Sequence, residues 1–346
     1  MKSETFQHQN TIPEALEVEL TWACNEKCVH CYLKHAKPPI TMSASVLSRL
    51  KQAIMDNSIK EVLLTGGEVF LHHGLLDLVG FLTEAKVQVK VFSNLNECNE
   101  SQLSRLAGCG IQLVQTSVYS VNDRIHDRVT GVNGSLAKTL ESLFFLQKLG
   151  VTVEVACPLT TMNYRDLFEV LKFFSARSIK AYADFFISSE LGEHASNLRY
   201  RLSEPHIREL HDICMRECPE YLYLWNEQKG MKEINIRDMA IFSPRTVCVR
   251  PDGSVAPMIG MDYILGSIAT DSLAEIMQSH DAVRLASIRM DDFEECRLCE
   301  AVTHCPACFA GHYSENGNRL DILNGKLCGY VRLMRELYLM APCVQS

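Results

Sequence analysis

The sequence lacks the marks of several protein classes. It has no excess of positive charge, since 34 Lys and Arg face 42 Asp and Glu for a net charge of −8, so a nucleic-acid-binding surface is not indicated. No apolar run approaches the length needed to span a bilayer. The first ten residues are polar and contain no apolar segment typical of a secretory signal. We therefore expect neither nucleic acid nor membrane as a partner.

Cysteine is abundant, with 15 residues in a chain of 346. A secreted disulfide scaffold of such richness is typical only of much shorter chains. The composition therefore indicates a reduced, cytoplasmic, metal-binding protein. Its length allows a barrel-sized domain and a smaller second one.

Short apolar runs alternate with segments of helical period over the first two thirds of the chain. Six such βα units in succession predict a parallel sheet with right-handed crossovers. In barrels built this way the chemistry lies in loops at the carboxyl ends of the strands. The predicted strands are Glu14–Leu20, Glu61–Thr65, Val87–Phe92, Gln112–Val118, Thr152–Ala156 and Ile179–Ile187.

Three cysteines, Cys24, Cys28 and Cys31, follow the first predicted strand at a C-x3-C-x2-C spacing. Thiolates are soft ligands that hold zinc or iron–sulfur clusters. Three are too few to close a tetrahedral site, which leaves a metal position open, as a reactive centre requires. A zinc knuckle and a disulfide-bonded loop are the alternatives.

This spacing resembles the signature of the radical S-adenosylmethionine (SAM) enzymes. The resemblance implies a partial (β/α)6 barrel in which the three cysteines hold a [4Fe–4S] cluster. The fourth iron then takes the amino and carboxylate groups of SAM. It also implies reductive cleavage of SAM to a 5′-deoxyadenosyl radical, which takes a hydrogen from a substrate C–H bond.

Further segments of the chain match the SAM-binding positions of this family. Gly66, Gly67 and Glu68 follow the second strand, and the family uses this segment to receive the SAM amino group. Val69 stands where the family usually has proline. The resemblance also implies SAM contacts by polar residues at later strand ends, by an arginine for the SAM carboxylate and by the tyrosine after the third cysteine: Ser93, Asn94, Ser117, Arg128 and Tyr32.

A second group of cysteines lies near the C-terminus, with C-x2-C pairs that suit zinc as well as iron–sulfur clusters. The region resembles the SPASM domain, which holds two auxiliary [4Fe–4S] clusters in radical SAM enzymes that modify peptides. The resemblance assigns the outer cluster (Aux II) to the positions Cys296, Cys299, Cys305 and Cys328.

The inner cluster (Aux I) has an incomplete set of predicted ligands. Cys248 is a plausible ligand, and Cys308 comes one residue earlier than the family spacing. Met258 stands where the family has cysteine, so we expect Aux I to lack one standard ligand. The C-x3-C pair Cys214 and Cys218 is a further source of thiolates.

These features divide the chain into an extension at 1–13, a radical SAM barrel at 14–218, a bridge at 219–246 and a SPASM-type domain at 247–346. A hairpin turn is predicted at Asp252-Gly253. The polar, aperiodic stretch 188–202 is predicted to be a loop over the barrel mouth that serves as a substrate lid.

The resemblance indicates a maturase that installs a crosslink, thioether or other oxidative modification in a ribosomally made peptide. The alternatives are tailoring of a haem-like or quinone-like small molecule, sulfatase maturation, and a non-catalytic electron carrier. Sulfatase maturases carry an aspartate where this chain has Ile259, and an electron carrier needs no SAM pocket. Expected partners are a flavodoxin or ferredoxin and, because the first strand begins near residue 14, a separate leader-recognition protein.

Overall fold

The computed structural model describes residues 12–33, 38–192, 195–225, 241–302, 305 and 309–340. Nine strands in this part of the chain join in one sheet. They are β1 (Ala15–Thr21), β2 (Glu61–Gly66), β3 (Gln88–Phe92), β4 (Leu113–Ser117), β5 (Val153–Pro158), β6 (Lys180–Asp184), β7 (Thr246–Val249), β8 (Ser254–Ala256) and β9 (Gly266–Ser267).

The first six strands pair in chain order, each parallel to the next, from β1 to β6. The predicted partial (β/α)6 barrel is confirmed. One boundary matters for the site, because β6 ends at Asp184 and not at Ile187 as predicted.

Twelve helices of the described chain surround the sheet. They are α1 (Ala44–Asp56), α2 (Leu75–Glu84), α3 (Glu100–Gly108), α4 (Asp123–Thr130), α5 (Ser135–Lys148), α6 (Leu167–Ser175), α7 (Glu204–Glu217), α8 (Leu273–Met277), α9 (His280–Ser287), α10 (Glu294–Arg297), α11 (Phe309–Glu315) and α12 (Gly325–Met340). None of these helices has the length and apolar character required to cross a membrane.

Side-chain capping fixes where several helices begin. The Ser43 hydroxyl accepts from the Val46 amide at the start of α1, and Asn99 forms a reciprocal capping box with Gln102 at α3. Sequence reasoning missed α4, a short polar helix that Asn122 caps. The last turn of α4 accepts hydrogen bonds from the loop that carries Cys24, Cys28 and Cys31.

Strand β1 shows how one face of the sheet is apolar and packs against the helices, while the face toward the barrel interior is polar. Leu16, Val18 and Leu20 are buried in the apolar core between sheet and helices. Glu17 and Glu19 alternate with them and project from the opposite face of the strand. The barrel interior therefore begins with carboxylates already in place at its centre.

The C-terminal region continues the sheet of the barrel. Strand β7 lies parallel to β1, with Leu16 opposite Val247, and β8 and β9 extend the sheet antiparallel. The hairpin predicted at Asp252-Gly253 joins β7 to β8. This arrangement ties the cysteine-rich region to the strand that leads into the cysteine loop.

The stretch predicted as a lid is fastened to the C-terminal helices. A short 3-10 helix occupies Ser196–Tyr200. Arg201 forms a largely buried ion pair with Glu315 of α11 and donates to the Ile187 carbonyl. Ser189 donates to Ser314 at 2.8 Å. These contacts tie the described part of the stretch to α11, and its role as a substrate lid stays a prediction.

Candidate active site

The loop that carries Cys24, Cys28 and Cys31, here called the cluster loop (residues 22–33), is held by backbone hydrogen bonds from neighbouring elements. The Lys27 and Val29 amides donate to carbonyls in the last turn of α4, at 2.8 and 3.0 Å. The Leu191 amide donates to the Tyr32 carbonyl at 2.9 Å. Fixed backbone on both sides allows a loop without regular structure to hold its side chains in place.

All three thiols of the cluster loop line one cavity of about 710 Å³ at the carboxyl ends of the strands. Burial raises the pKa of the Cys24 thiol to about 12 and that of Cys31 to about 11. Burial also raises the pKa of Cys28 well above its ordinary value. The free thiols therefore stay protonated at neutral pH, and a bound metal ion is what makes them thiolates.

Gly66 and Gly67 line the same cavity. The structure shows a reason for glycine at these positions that the sequence did not show. A Cβ on Gly66 would lie 2.2 Å from the Thr21 carbonyl oxygen, and one on Gly67 would lie 2.2 Å from the Ala23 carbonyl oxygen. The two glycines thus allow the end of β2 to pack directly on the backbone that enters the cluster loop.

The predicted contact between the Glu68 carboxylate and SAM stays a prediction, and in this structure the carboxylate is bound by the protein itself. The side chain is fully buried and does not line the cavity. Its two oxygens accept from the Phe70 amide at 3.0 Å, the Ser93 hydroxyl at 2.7 Å and the Asn94 amide at 2.8 Å. Glu68 therefore joins the ends of β2 and β3, and it acts on the cavity by positioning Ser93 and Asn94.

The remaining predicted contacts lie on the cavity wall, with one exception. Ser93, Asn94, Ser117 and Tyr32 all line it. Tyr32 donates a short hydrogen bond to Glu19 inside the barrel. Arg128 is the exception, since it lies exposed on α4 and does not line the cavity.

Lys27 of the cluster loop is a cation that does line the cavity, and sequence reasoning missed it. Glu26, beside it, also lines the cavity and accepts from Asn96 at 2.7 Å and from the Cys28 thiol at 3.2 Å. Burial raises the pKa of Glu26 to about 7. Position within the cysteine motif was the available signal for both residues.

Asp184 is a further residue that sequence reasoning missed. It stands at the last position of β6 and lines the cavity with Phe186 and Ile187. The prediction of a strand through Ile187 concealed it, because an acidic residue inside a strand carries no signal, whereas one at a strand end does.

The cavity also contains a buried polar atom that finds no partner among the described residues. His30 Nε2 makes no hydrogen bond there, and burial lowers the pKa of this side chain to about 4. The ring packs on Tyr119 with 5.2 Å between centroids, and the Tyr119 hydroxyl lies 3.8 Å from the Cys28 sulfur. Neutral aromatic groups therefore cover the Cys28 side of the cavity, as suits an iron–sulfur cluster.

The four cysteines assigned to the outer cluster meet in one small pocket between the C-terminal helices. Cys296, Cys299, Cys305 and Cys328 line it together with Phe309 and His312. Burial, followed by the neighbouring cysteines, raises the pKa of Cys296 to about 12. No three His, Cys, Asp or Glu side chains of the described chain are spaced to hold a single metal ion. The donor set of four thiols fits an iron–sulfur cluster.

The structure describes fewer of the residues assigned to the inner cluster (Aux I). Cys248 is fully buried on β7, opposite Glu17 of β1. Burial, with Glu19 and Glu17 nearby, raises its pKa well above the ordinary value. Cys308 lies outside the residues that the structure describes. An inner cluster short of one ligand therefore stays a prediction.

Cys214 and Cys218 do not join this interior group. Cys218 accepts from Lys172 of α6 at 3.1 Å, and the Cys214 thiol donates to the Cys218 carbonyl at 3.2 Å. Both thiols thus lie at the end of α7, and their suggested role as Aux I ligands stays a prediction.

Comparison with known proteins agrees with this geometry. The family model of the radical SAM superfamily matches residues 18–174, and that of an iron–sulfur cluster-binding domain, SPASM, matches residues 243–306. The chain therefore contains a radical SAM domain followed by a SPASM-type iron–sulfur cluster-binding domain.

Three similar proteins differ in what they make. The chain is 24% identical over 334 residues to the antilisterial bacteriocin subtilosin biosynthesis protein AlbA of Bacillus subtilis, covering 90% of this chain and 71% of AlbA. It is 22% identical over 340 residues to the AdoMet-dependent haem synthase of Methanosarcina barkeri, covering 89% and 95%. Streptococcus suis SuiB bound to its precursor peptide SuiA superposes with a TM-score of 0.71 at 14% identity, covering 92% and 76%.

Proposed function

We propose that this chain is a peptide maturase, which uses SAM to install a crosslink, thioether or other oxidative modification in a ribosomally made peptide. The observation that carries the proposal is the single cavity of about 710 Å³ that joins the cluster-loop thiols to a separate wall at the end of β6. That volume is within the range of cavities that bind cofactor-sized ligands.

The residues present fit a site-differentiated cluster and SAM. The cluster loop offers three thiols and leaves one metal position open. When bound, these groups supply one-electron cleavage of SAM and a radical that abstracts hydrogen. The chain supplies position and shielding: Asn94 places its amide nitrogen 3.7 Å from the Cys24 sulfur, and Tyr119 and His30 cover the Cys28 side.

Polar groups on the β3 and β4 wall are preorganised for a polar ligand. The hydroxyl of Ser93 is held by Glu68, and Asn94 donates to Asn25 at 2.7 Å. Ser117 ends β4 on the same wall. We assign SAM to this part of the cavity, which leaves the β6 wall to the substrate.

The C-terminal thiols support an oxidative outcome. A crosslink or thioether forms with net loss of a hydrogen pair from the peptide, so an electron acceptor is required. The pocket of Cys296, Cys299, Cys305 and Cys328 is suited to hold the cluster that accepts or relays that electron. A flavodoxin or ferredoxin as donor, a separate leader-recognition protein and a cytoplasmic location remain part of the proposal.

A second candidate is tailoring of a haem-like small molecule. The alignment with the haem synthase spans 95% of that protein, whereas the alignment with AlbA spans 71%. We favour the peptide because AlbA aligns with slightly higher identity and SuiB holds a peptide in the same fold.

The experiment that separates the two uses anaerobically reconstituted protein, SAM and a chemical reductant, with either a precursor peptide encoded beside the gene or iron-free tetrapyrrole carboxylates. We expect mass spectrometry to show hydrogen loss from the peptide. A Cys24→Ala variant should abolish it, and Cys109→Ala, a cysteine outside the cavity, should not. Turnover of the tetrapyrrole alone would reject the peptide assignment.

A further inference from the structure

Asp184 presents a carboxylate to the cavity without a cation to balance it. Its Oδ1 accepts from the Phe186 amide at 3.0 Å. Among the described residues it forms no ion pair, and more than a third of its surface is accessible. An acceptor with capacity for up to four hydrogen bonds is thus used once by the protein.

Other carboxylates of this chain with a structural role accept more hydrogen bonds from the protein. Asp127 accepts from the Gly134 amide, the Ser135 hydroxyl and the Leu136 amide. Glu68 accepts from three donors as well. Those residues hold the fold together, and Asp184 lacks the contacts of such a role.

The surroundings of Asp184 favour a cation. Asp184 lines the cavity with part of its surface accessible, and desolvation by the surrounding atoms raises the pKa of the carboxyl group. A positive group next to it restores the ionised form and forms a charge-assisted hydrogen bond. Phe186 and Ile187 line the cavity beside it and offer apolar surface to an aliphatic stem.

The position of Asp184 in the barrel indicates that it faces the substrate. The wall that we assign to SAM follows β2, β3 and β4, whereas Asp184 follows β6. The cation that lines the cavity from the cluster loop, Lys27, lies in a different part of the chain and makes no ion pair with Asp184. We propose that Asp184 binds a lysine or arginine side chain of the peptide substrate, an inference that rests on the proposed function.

The test uses the reconstituted holoenzyme with SAM under anaerobic conditions and an mRNA-encoded library of random peptides as the probe. Wild-type protein is expected to enrich peptides that contain lysine or arginine. Asp184→Asn keeps the shape of the side chain and should reduce that enrichment about tenfold or more, the loss expected for a charge-assisted hydrogen bond. Asp56→Asn removes the same charge from an exposed position on α1 and should have no effect.

Four results would overturn the inference. Equal enrichment of basic peptides by Asp184→Asn would show that the carboxylate does not select them. A tenfold weaker Kd for SAM in that variant would assign the carboxylate to SAM. Enrichment of peptides without basic residues would also reject it, while leaving the proposed function intact. Enrichment of no peptide at all by wild-type protein, with its leader-recognition protein present, would remove the proposed function and the inference together.

Discussion

Replacing Glu68 by alanine tests whether this residue supports the cavity or contacts the ligand. The variant removes the acceptor of three hydrogen bonds, between 2.7 and 3.0 Å, in a place that is fully buried. Each donor left without a partner costs about 1–3 kcal/mol, so we expect a loss of at least about 3 kcal/mol. For a domain of this size that loss lowers Tm by about 6–12 °C.

Thermal unfolding of the reconstituted protein, followed by circular dichroism, measures this difference. Glu61→Ala is the matched control, because Glu61 lies on the same strand and pairs with Lys90 at a partly exposed position. Its ion pair is worth about 1 kcal/mol or less. Unfolding of Glu68→Ala within about 2 °C of wild type, with SAM affinity lost, would refute a supporting role and restore the direct contact.

Three further predictions concern the metal centres and the backbone between them. Replacing the three cluster-loop cysteines together by alanine should abolish SAM cleavage while iron analysis still finds metal at the C-terminal pocket; loss of all iron would contradict that second site. Cys296→Ser should remove only the C-terminal iron and leave the SAM-sensitive electron paramagnetic resonance signal of the first cluster, whereas an altered first signal would place the thiol elsewhere. Gly67→Ala brings a Cβ within 2.2 Å of the Ala23 carbonyl and should displace the cluster loop, so that reconstituted iron at the first site falls; Gly108→Ala meets nothing within 4 Å and should bind iron like wild type.

Much of the barrel could be predicted because its signals are local. Alternation of apolar runs with helical segments placed all six parallel strands, and cysteine spacing placed both groups of thiols. The pairing of β7 with β1 was missed, since it joins residues more than 200 positions apart in strands of a few residues. Periodicity along the chain contains no information on such a pairing.

Side-chain direction was the other limit. The sequence correctly placed Glu68 at a strand end. It did not reveal the three hydrogen-bond donors that hold the carboxylate away from the cavity. The SAM contact of Arg128 was predicted from a motif match. In the structure Arg128 lies on α4 and is exposed to solvent. Asp184 was hidden by a strand predicted three residues too long. Each of these differences concerns the surroundings of a residue, which depend on tertiary contacts.

The most direct test of the account is the formation of 5′-deoxyadenosine from SAM by the reduced, reconstituted protein, measured by liquid chromatography and mass spectrometry. The cavity geometry predicts steady formation by wild-type protein and none by the variant that lacks the three cluster-loop thiols. A protein that binds iron at both sites, is reduced, and still leaves SAM intact would contradict the central claim that this cavity is a radical SAM active site.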